Sequence, residues 1–390
     1  MTQTLASYRA AGQSLWLDSV SRNLLRSGEL ARLLAAGVTG VTSNPTIFAK
    51  AFGSRADYAH DVERLGASGL DSSQIYERLV AADIREAADL LLPVWRQSER
   101  WDGCVSVEVS PATAHDEAAT LAEAERWWSA IARPNVMIKV PATPAGLRAL
   151  TELIRRGRNV NVTLIFGVEQ YSRTIEAWLE GLRRRHADGA ELGGIACVAS
   201  FFLSRIDSAV DPRLEQLGDD DPSVSELEGG TALDVARLAY ERYRALAEDP
   251  RWIELRHAGA SVQRLLWAST GTKSAAFSPT HYVDCLALPG TVNTLPPETL
   301  EAVLRQGHPS GESLVPAAVA QRRIARLAAL GIDVGTLADE LQRQGLDKFT
   351  ASYAEAVSAV SWRRNAAQAD APDTPTAPAP RAAEARAPTP

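Results

Sequence analysis

A lysine stands in the middle of an apolar run, Val136-Met-Ile-Lys-Val-Pro141, where a solvated charge has no place. Burial disfavours the charged form of an amine, and the neutral form carries the lone pair that attacks a carbonyl. Lys139 is therefore a candidate nucleophile for Schiff-base chemistry. Composition strengthens the case, because only four of the 41 basic residues are lysines: Lys50, Lys139, Lys273 and Lys348. Where arginine serves for generic positive charge, a lysine kept inside an apolar strand points to amine chemistry, which arginine cannot perform. Taken alone, such a lysine reads more plainly as a strand-end residue reaching water, or as the ion-pair partner of a nearby acid.

The neighbours decide against the plainer reading. In Cys104-Val-Ser-Val-Glu-Val-Ser110, alternation puts Val105, Val107 and Val109 on one face and Ser106, Glu108 and Ser110 on the other. In Asn159-Val-Asn-Val-Thr-Leu-Ile-Phe166, Val160, Val162, Leu164 and Phe166 share one face, and Asn159, Asn161 and Thr163 the other. Two polar residues on one face of a buried strand cost stability unless they are satisfied, so Asn161 and Thr163 are expected to serve a site. Asp18 and Glu108 are two acids on different strands, suited to general acid/base roles if their environments set them apart. Either alone could be a salt-bridge acid. Asn44 is a further candidate, although a residue before Pro45 also suits a turn that ends a strand. For an anion, Ser200-Phe-Phe-Leu-Ser-Arg205 and Ser269-Thr-Gly-Thr-Lys273 combine a cation with hydroxyls and turn amides, making Ser200, Arg205, Ser269 and Lys273 candidates for phosphate. Arg205 could equally pair with Asp207 or Asp211.

These residues need strands to position them. Eight β-like runs are expected at 14–18, 37–44, 104–110, 135–140, 159–166, 195–201, 264–269 and 282–288, with helical patterns between them. Residues 71–95 and 168–185 have helical spacing. In 143–157, Thr143 can cap a helix, Pro144 suits its first turn and Gly157 its end. Eightfold alternation predicts an α/β protein built as a (β/α)8 (TIM) barrel, whose active site forms at the C-terminal ends of the strands. A doubly wound open sheet would carry a glycine-rich loop after its first strand, and Asp18-Ser-Val-Ser-Arg22 is nothing like one. Beyond 288 the pattern is helical to about 362, including 297–306, 312–330 and 337–344, so additional C-terminal helices should pack on the barrel. The domain is expected to span 1–363. Residues 364–390, with no aliphatic side chain larger than Ala, are expected to form a disordered tail.

A net charge of −7 argues against nucleic-acid or anionic membrane partners. No apolar run approaches the roughly 18 residues of a membrane span, and no secretory signal is visible, so a cytoplasmic protein is expected. Cys104, Cys197 and Cys285 lie far apart in β-like runs and read as reduced, buried thiols. The six histidines show no metal-binding spacing, and no metal or other cofactor is expected.

At these motifs the sequence resembles the transaldolases, over about residues 12–363, and within them the longer, bacterial-type branch. The likeness is carried by Trp16-Leu-Asp-Ser-Val-Ser-Arg22, Gly40-Val-Thr-Ser-Asn-Pro-Thr-Ile-Phe48, Val107-Glu-Val-Ser110, Met137-Ile-Lys-Val-Pro-Ala-Thr143, Asn161-Val-Thr-Leu-Ile-Phe166 and Ala268-Ser-Thr-Gly-Thr-Lys273. Thr291-Val-Asn-Thr-Leu-Pro296 adds a segment placed after the expected eighth strand. The resemblance implies a cofactor-free transferase of the pentose phosphate pathway. It would move a dihydroxyacetone unit from sedoheptulose 7-phosphate to glyceraldehyde 3-phosphate, giving erythrose 4-phosphate and fructose 6-phosphate. Lys139 would form the Schiff base, Asp18 would take the 4-hydroxyl proton, and Glu108 would shuttle protons through a water held near Thr163. Asn44 and Asn161 would hold the dihydroxyacetone hydroxyls, with Ser200 a further contact, and Arg205, Ser269 and Lys273 would take the phosphate. Some relatives carry Arg where Lys273 stands, which ranks it behind Arg205. Some members of this branch are fused to an isomerase; the Pro/Ala tail here predicts none. A monomer or homodimer acting on sugar phosphates is expected. Two alternatives stay open: a shorter-chain relative's activity, the release of free dihydroxyacetone from fructose 6-phosphate, and a non-catalytic sugar-phosphate-binding barrel.

Overall fold

Parallel strands rich in Val, Ile and Leu, apolar on both faces, must be covered on both sides, and closing them into a ring achieves this. The computed structural model describes residues 2–54, 56–218, 222–311 and 314–369. Its strands are β1 (Ser14–Asp18), β2 (Gly40–Thr42), β3 (Val105–Glu108), β4 (Val136–Pro141), β5 (Val160–Ile165), β6 (Cys197–Phe202), β7 (Arg264–Ala268) and β8 (Val292–Leu295). They form a closed barrel in chain order, β8 pairing back onto β1. The expected (β/α)8 barrel is the observed fold.

Seven strands lie within or overlap the expected runs. The eighth does not. Residues 282–288 look like a strand in composition, but His281–Cys285 is a short helix whose buried Tyr282 and Val283 are joined by Leu286 one turn on. The true β8 lies in the family-like segment that was expected to come after the strand. Its four residues, with Asn293 and Thr294 among them, carry too little apolar signal to stand out. Cys285 consequently sits in a helix and is half-buried, while Cys104 and Cys197 are buried in or beside strands; all three thiols are free.

Register carries the site. Glu108 pairs with Lys139, and Lys139 with Asn161, so three neighbouring strands present these residues side by side on one face. Asn159 does not join them: it lies before β5 and bonds the carbonyls of Pro134 and Val136 and the amide of Ala196, lacing the strands at their N-terminal end. The alternation expected through Phe166 also breaks. The β5–β6 register shifts between Val162 and Ile165, and Leu164 takes a left-handed φ of 61°. The extra residue reverses the facing of the residues beyond it, and Phe166 packs against the Phe202 ring at 5.2 Å.

The helices form the outer layer. Ser72–Gln97, Pro144–Arg155, Val168–Ala187 and Pro297–Gln306 lie close to their expected places, and 312–330 is represented by Ala317–Ala329. The last helix, Val334–Ala369, is far longer than 337–344 and continues past Arg364; the rest of the expected tail, 370–390, lies outside the described residues. Gln342 on this helix donates to the carbonyls of Ala142 and Leu164 at 3.2 and 3.0 Å, which docks it across the ends of β4 and β5.

The opposite end of the barrel is plugged by a polar knot. Arg264 pairs with Asp102 at 3.3 Å and donates to Ser14, while Trp16 donates its indole N–H to Asp102 at 2.9 Å. Above it the Trp16 indole fills the barrel against Gly40, where an added Cβ would lie 2.5 Å from the ring. Overpacking of this kind costs about 1–3 kcal/mol. Gly40→Ala is expected to lower unfolding stability by that amount in chemical denaturation; an unchanged midpoint would show that Trp16 has room to move.

Candidate active site at the C-terminal mouth of the barrel

The C-terminal ends of the strands open into a cavity of about 470 Å³. Its lining includes Asp18, Asn44, Lys139, Ser200, Arg205, Ser269 and Lys273, seven of the ten residues singled out from sequence. The other three, Glu108, Asn161 and Thr163, are not among the lining residues but lie buried behind or beside Lys139.

Lys139 is only 4% exposed. Its Nζ donates to the Ser43 carbonyl at 3.2 Å and lies 3.5 Å from Glu108 Oε2. Burial pushes the Glu108 carboxyl up to about 7, an effect that the charge of Lys139 opposes and that of Asp18 reinforces. Asp18 is raised too, first by burial, while Lys139 and a hydrogen bond from Thr42 hold it down. That bond is 2.7 Å long, and Thr42 Oγ1 lies 2.6 Å from Thr294 Oγ1. A hydroxyl has one hydrogen, so with Thr42 donating to Asp18, Thr294 must donate to Thr42. The two carboxylates thus differ in kind: one is paired with an amine, the other is fed by a hydroxyl chain.

Asn161 is fully buried and held on both sides. It accepts from Ser200 Oγ at 2.6 Å and donates to Ser106 Oγ at 3.0 Å, leaving one Nδ2 hydrogen for another partner. Thr163 Oγ1 and Glu108 Oε2 are buried oxygens with no hydrogen-bond partner in the protein. Asn44 does two jobs, as its ambiguous position before Pro45 allowed. Its Oδ1 accepts from the Ile47 amide at 3.1 Å in the first turn of helix Pro45–Ser54, so the group that can meet a ligand is Nδ2.

The late-strand loops come together as expected. Ser204 and Ser269 hydroxyls are 2.9 Å apart, and Ser269 adopts a left-handed φ of 56°. Arg205 lies with its Cζ 5.2 Å from the Phe202 ring centre. It pairs with neither Asp207 nor Asp211: Asp207 accepts instead from Tyr282 and the Ala232 amide, and Asp211 from the Gly229 amide. Sequence reasoning missed Thr42, Thr294, Lys50 and Lys348, which also line the cavity. The scarcity of lysine was the signal that could have found the last two, because all four lysines of the chain face this one cavity.

The family comparison decides what this arrangement belongs to. The profile of the Transaldolase/Fructose-6-phosphate aldolase family matches residues 15–360. The chain belongs to that family. Among curated relatives it is 44% identical to a transaldolase of Frankia alni and 44% identical to one of Acidothermus cellulolyticus, in each case over 93% of this chain and 97% of the relative. It is 45% identical to transaldolase 1 of Streptomyces avermitilis, over 90% of this chain and 93% of that protein. The likeness to these transaldolases takes in the whole barrel, and the family match ends within the last helix.

Glu108 makes the site's electrostatics measurable. An unfolded glutamate loses its proton near 4.5, whereas the folded carboxyl keeps it to about 7. Between these values the folded state binds the extra proton, so stability falls as pH rises through the window. Glu108→Gln is expected to flatten the decline in melting temperature between pH 5 and pH 8. A variant with the wild-type slope would show that the carboxyl titrates normally.

Proposed function

We propose that the protein is a transaldolase working through a Schiff base on Lys139, transferring a dihydroxyacetone unit from sedoheptulose 7-phosphate to glyceraldehyde 3-phosphate. The observation that carries this reading is the buried Lys139, paired with a near-neutral carboxyl at 3.5 Å, on the floor of a cavity ringed by cations. An amine can attack the C2 carbonyl of a ketose once it gives up its proton, and Glu108 is placed to receive one. A carboxyl titrating near 7 can take a proton in carbinolamine formation and return it as water leaves. A water reaching both Glu108 Oε2 and Thr163 Oγ1 would give a hydrogen-bond partner to two buried oxygens that find none in the protein.

Asp18 has the second proton task. With the iminium in place it removes the proton of the 4-hydroxyl; the C3–C4 bond breaks, its electron pair enters the iminium to give an enamine, and an aldehyde leaves. The acceptor aldehyde then reverses these steps, taking the proton back from Asp18. Asn44 Nδ2 and the remaining Asn161 hydrogen would hold the three-carbon unit between the half-reactions. Arg205, Ser269 and Lys273 would take the phosphate, whose charge matches that rim. Sugar phosphates are then the partners, and the cytoplasm the place of work.

The family also includes an activity that releases dihydroxyacetone, so transfer must be separated from release. Turnover of fructose 6-phosphate should depend on added erythrose 4-phosphate, and turnover indifferent to that acceptor would favour release. Borohydride reduction with fructose 6-phosphate should leave a three-carbon adduct in the peptide containing 136–141, and Lys139→Arg should abolish it. An adduct on another lysine would overturn the assignment. Asp18→Asn should still form the adduct with dihydroxyacetone while losing about 10²–10⁴ in kcat, the usual contribution of a general acid/base.

A further inference from the structure

Among the described residues, no carboxylate lies within ion-pairing distance of Arg205, Lys273 or Lys348 at the rim of the cavity, although carboxylates are common on this surface and pair with arginines elsewhere. The carboxylates that do line the cavity are Asp18, Asp57 and Glu298. Arg205 and Lys273 come after β6 and β7, whereas Lys348 comes from the far end of the chain, on helix Val334–Ala369.

The position of Lys348 is set by how that helix docks. Before it, Gln342 holds the carbonyls of Ala142 and Leu164. After it, Ser352 Oγ lies 2.8 Å from Thr46 Oγ1, and the Tyr353 ring meets Tyr76 edge-on at 5.0 Å. Phe349, buried beside Lys348, reaches the cavity as well. Between the anchors Gly345 lets the helix lie flat: an added Cβ would approach Leu164 Cδ2 to 2.8 Å and Arg205 Nη1 to 3.5 Å. The helix backbone thus passes directly over Arg205, and Lys348 lies less than one turn further on.

We propose that Lys348 is a specificity-determining residue that grips the phosphate of the sugar substrate together with Arg205 and Lys273, making the last helix part of the substrate site. This rests on the reading of the cavity as a sugar-phosphate site. A phosphate dianion is the ligand class whose charge offsets several unpaired cations at once, and an ammonium serves it as a mobile point-charge donor beside the fixed fork of Arg205. Repulsion from Arg205 holds the Lys348 ammonium below its usual range, helped by partial burial and by Lys273 and Lys50. A bound dianion would relieve that repulsion.

The test uses the full chain as wild type, Lys348→Gln and Lys348→Arg, with inorganic phosphate titrated calorimetrically and fructose 6-phosphate varied in the transfer assay. Loss of one charged hydrogen bond predicts that Lys348→Gln weakens phosphate binding and raises KM for fructose 6-phosphate by roughly tenfold or more. The kcat should change by less than about threefold, as expected for a binding contact. Borohydride labelling by unphosphorylated dihydroxyacetone should be unchanged, and Lys348→Arg should recover most of the phosphate affinity. Unchanged phosphate affinity and KM in Lys348→Gln would overturn the proposal, as would a loss of dihydroxyacetone labelling in parallel, which would mean that the helix had merely shifted. A wild type that neither ketose labels would instead sink the Schiff-base reading, and the phosphate titration would still decide the role of Lys348.

Discussion

Lys139 and Glu108 sit side by side inside the barrel, each less than a tenth exposed in its side chain, with 3.5 Å between ammonium and carboxylate. Taking two charges out of water is costly, and such a pair persists only where its geometry and extra hydrogen bonds offset the loss. The barrel provides both. Register locks the two residues onto neighbouring strands, and the Ser43 carbonyl takes one hydrogen of the ammonium. The compensation is incomplete, however, because Glu108 Oε2 accepts no hydrogen bond and burial raises its carboxyl to about 7. That shortfall suits the proposed chemistry, since a fully satisfied pair would hold its protons too firmly to exchange them.

The rest of the structure divides into parts that hold this pair still and parts that leave it accessible. At the closed end, Arg264, Asp102, Ser14 and Trp16 form a network that Arg264 extends to the carbonyls of Trp101 and Thr291, and none of the four lines the cavity. At the open end two strands finish in irregular backbone. Leu164 and Ser269 are non-glycine residues in left-handed backbone conformations, each costing on the order of 1 kcal/mol or more. Both end strands at the mouth. The turn at Leu164 also frees its carbonyl for Gln342, so the bulge in β5 and the docking of the last helix are one feature.

Much of this was legible in the sequence because a strand's period of two is a geometric rule with few exceptions. It placed Glu108, Asn161 and Thr163 on the same face as Lys139 from residue type and position alone, and the observed register has them there. It failed where the chain departs from period two or runs too short to show it. The bulge at Leu164 reversed Phe166, and the four residues of β8 were outweighed by the apolar 282–288, which begin with a single helical turn. The paired acids and amides were legible as types, yet their division of labour was not, since burial and the Thr42–Thr294 relay depend on packing between distant strands.

Lys348 marks a different limit. Nothing local distinguishes Gln344-Gly-Leu-Asp-Lys-Phe349 from any exposed helix, and its place over Arg205 is set by contacts with residues more than a hundred positions away. The composition nevertheless contained the clue. A chain that replaces nearly every lysine by arginine has kept four, and all four face the same cavity. One lies buried against Glu108. The other three are exposed at the rim, where arginine would supply equal charge, so charge alone does not account for them. What distinguishes an ammonium there is size and rotational freedom: on the proposed reading, three compact point charges would track a phosphate that enters with one sugar and leaves with another, while a single arginine keeps the fixed fork.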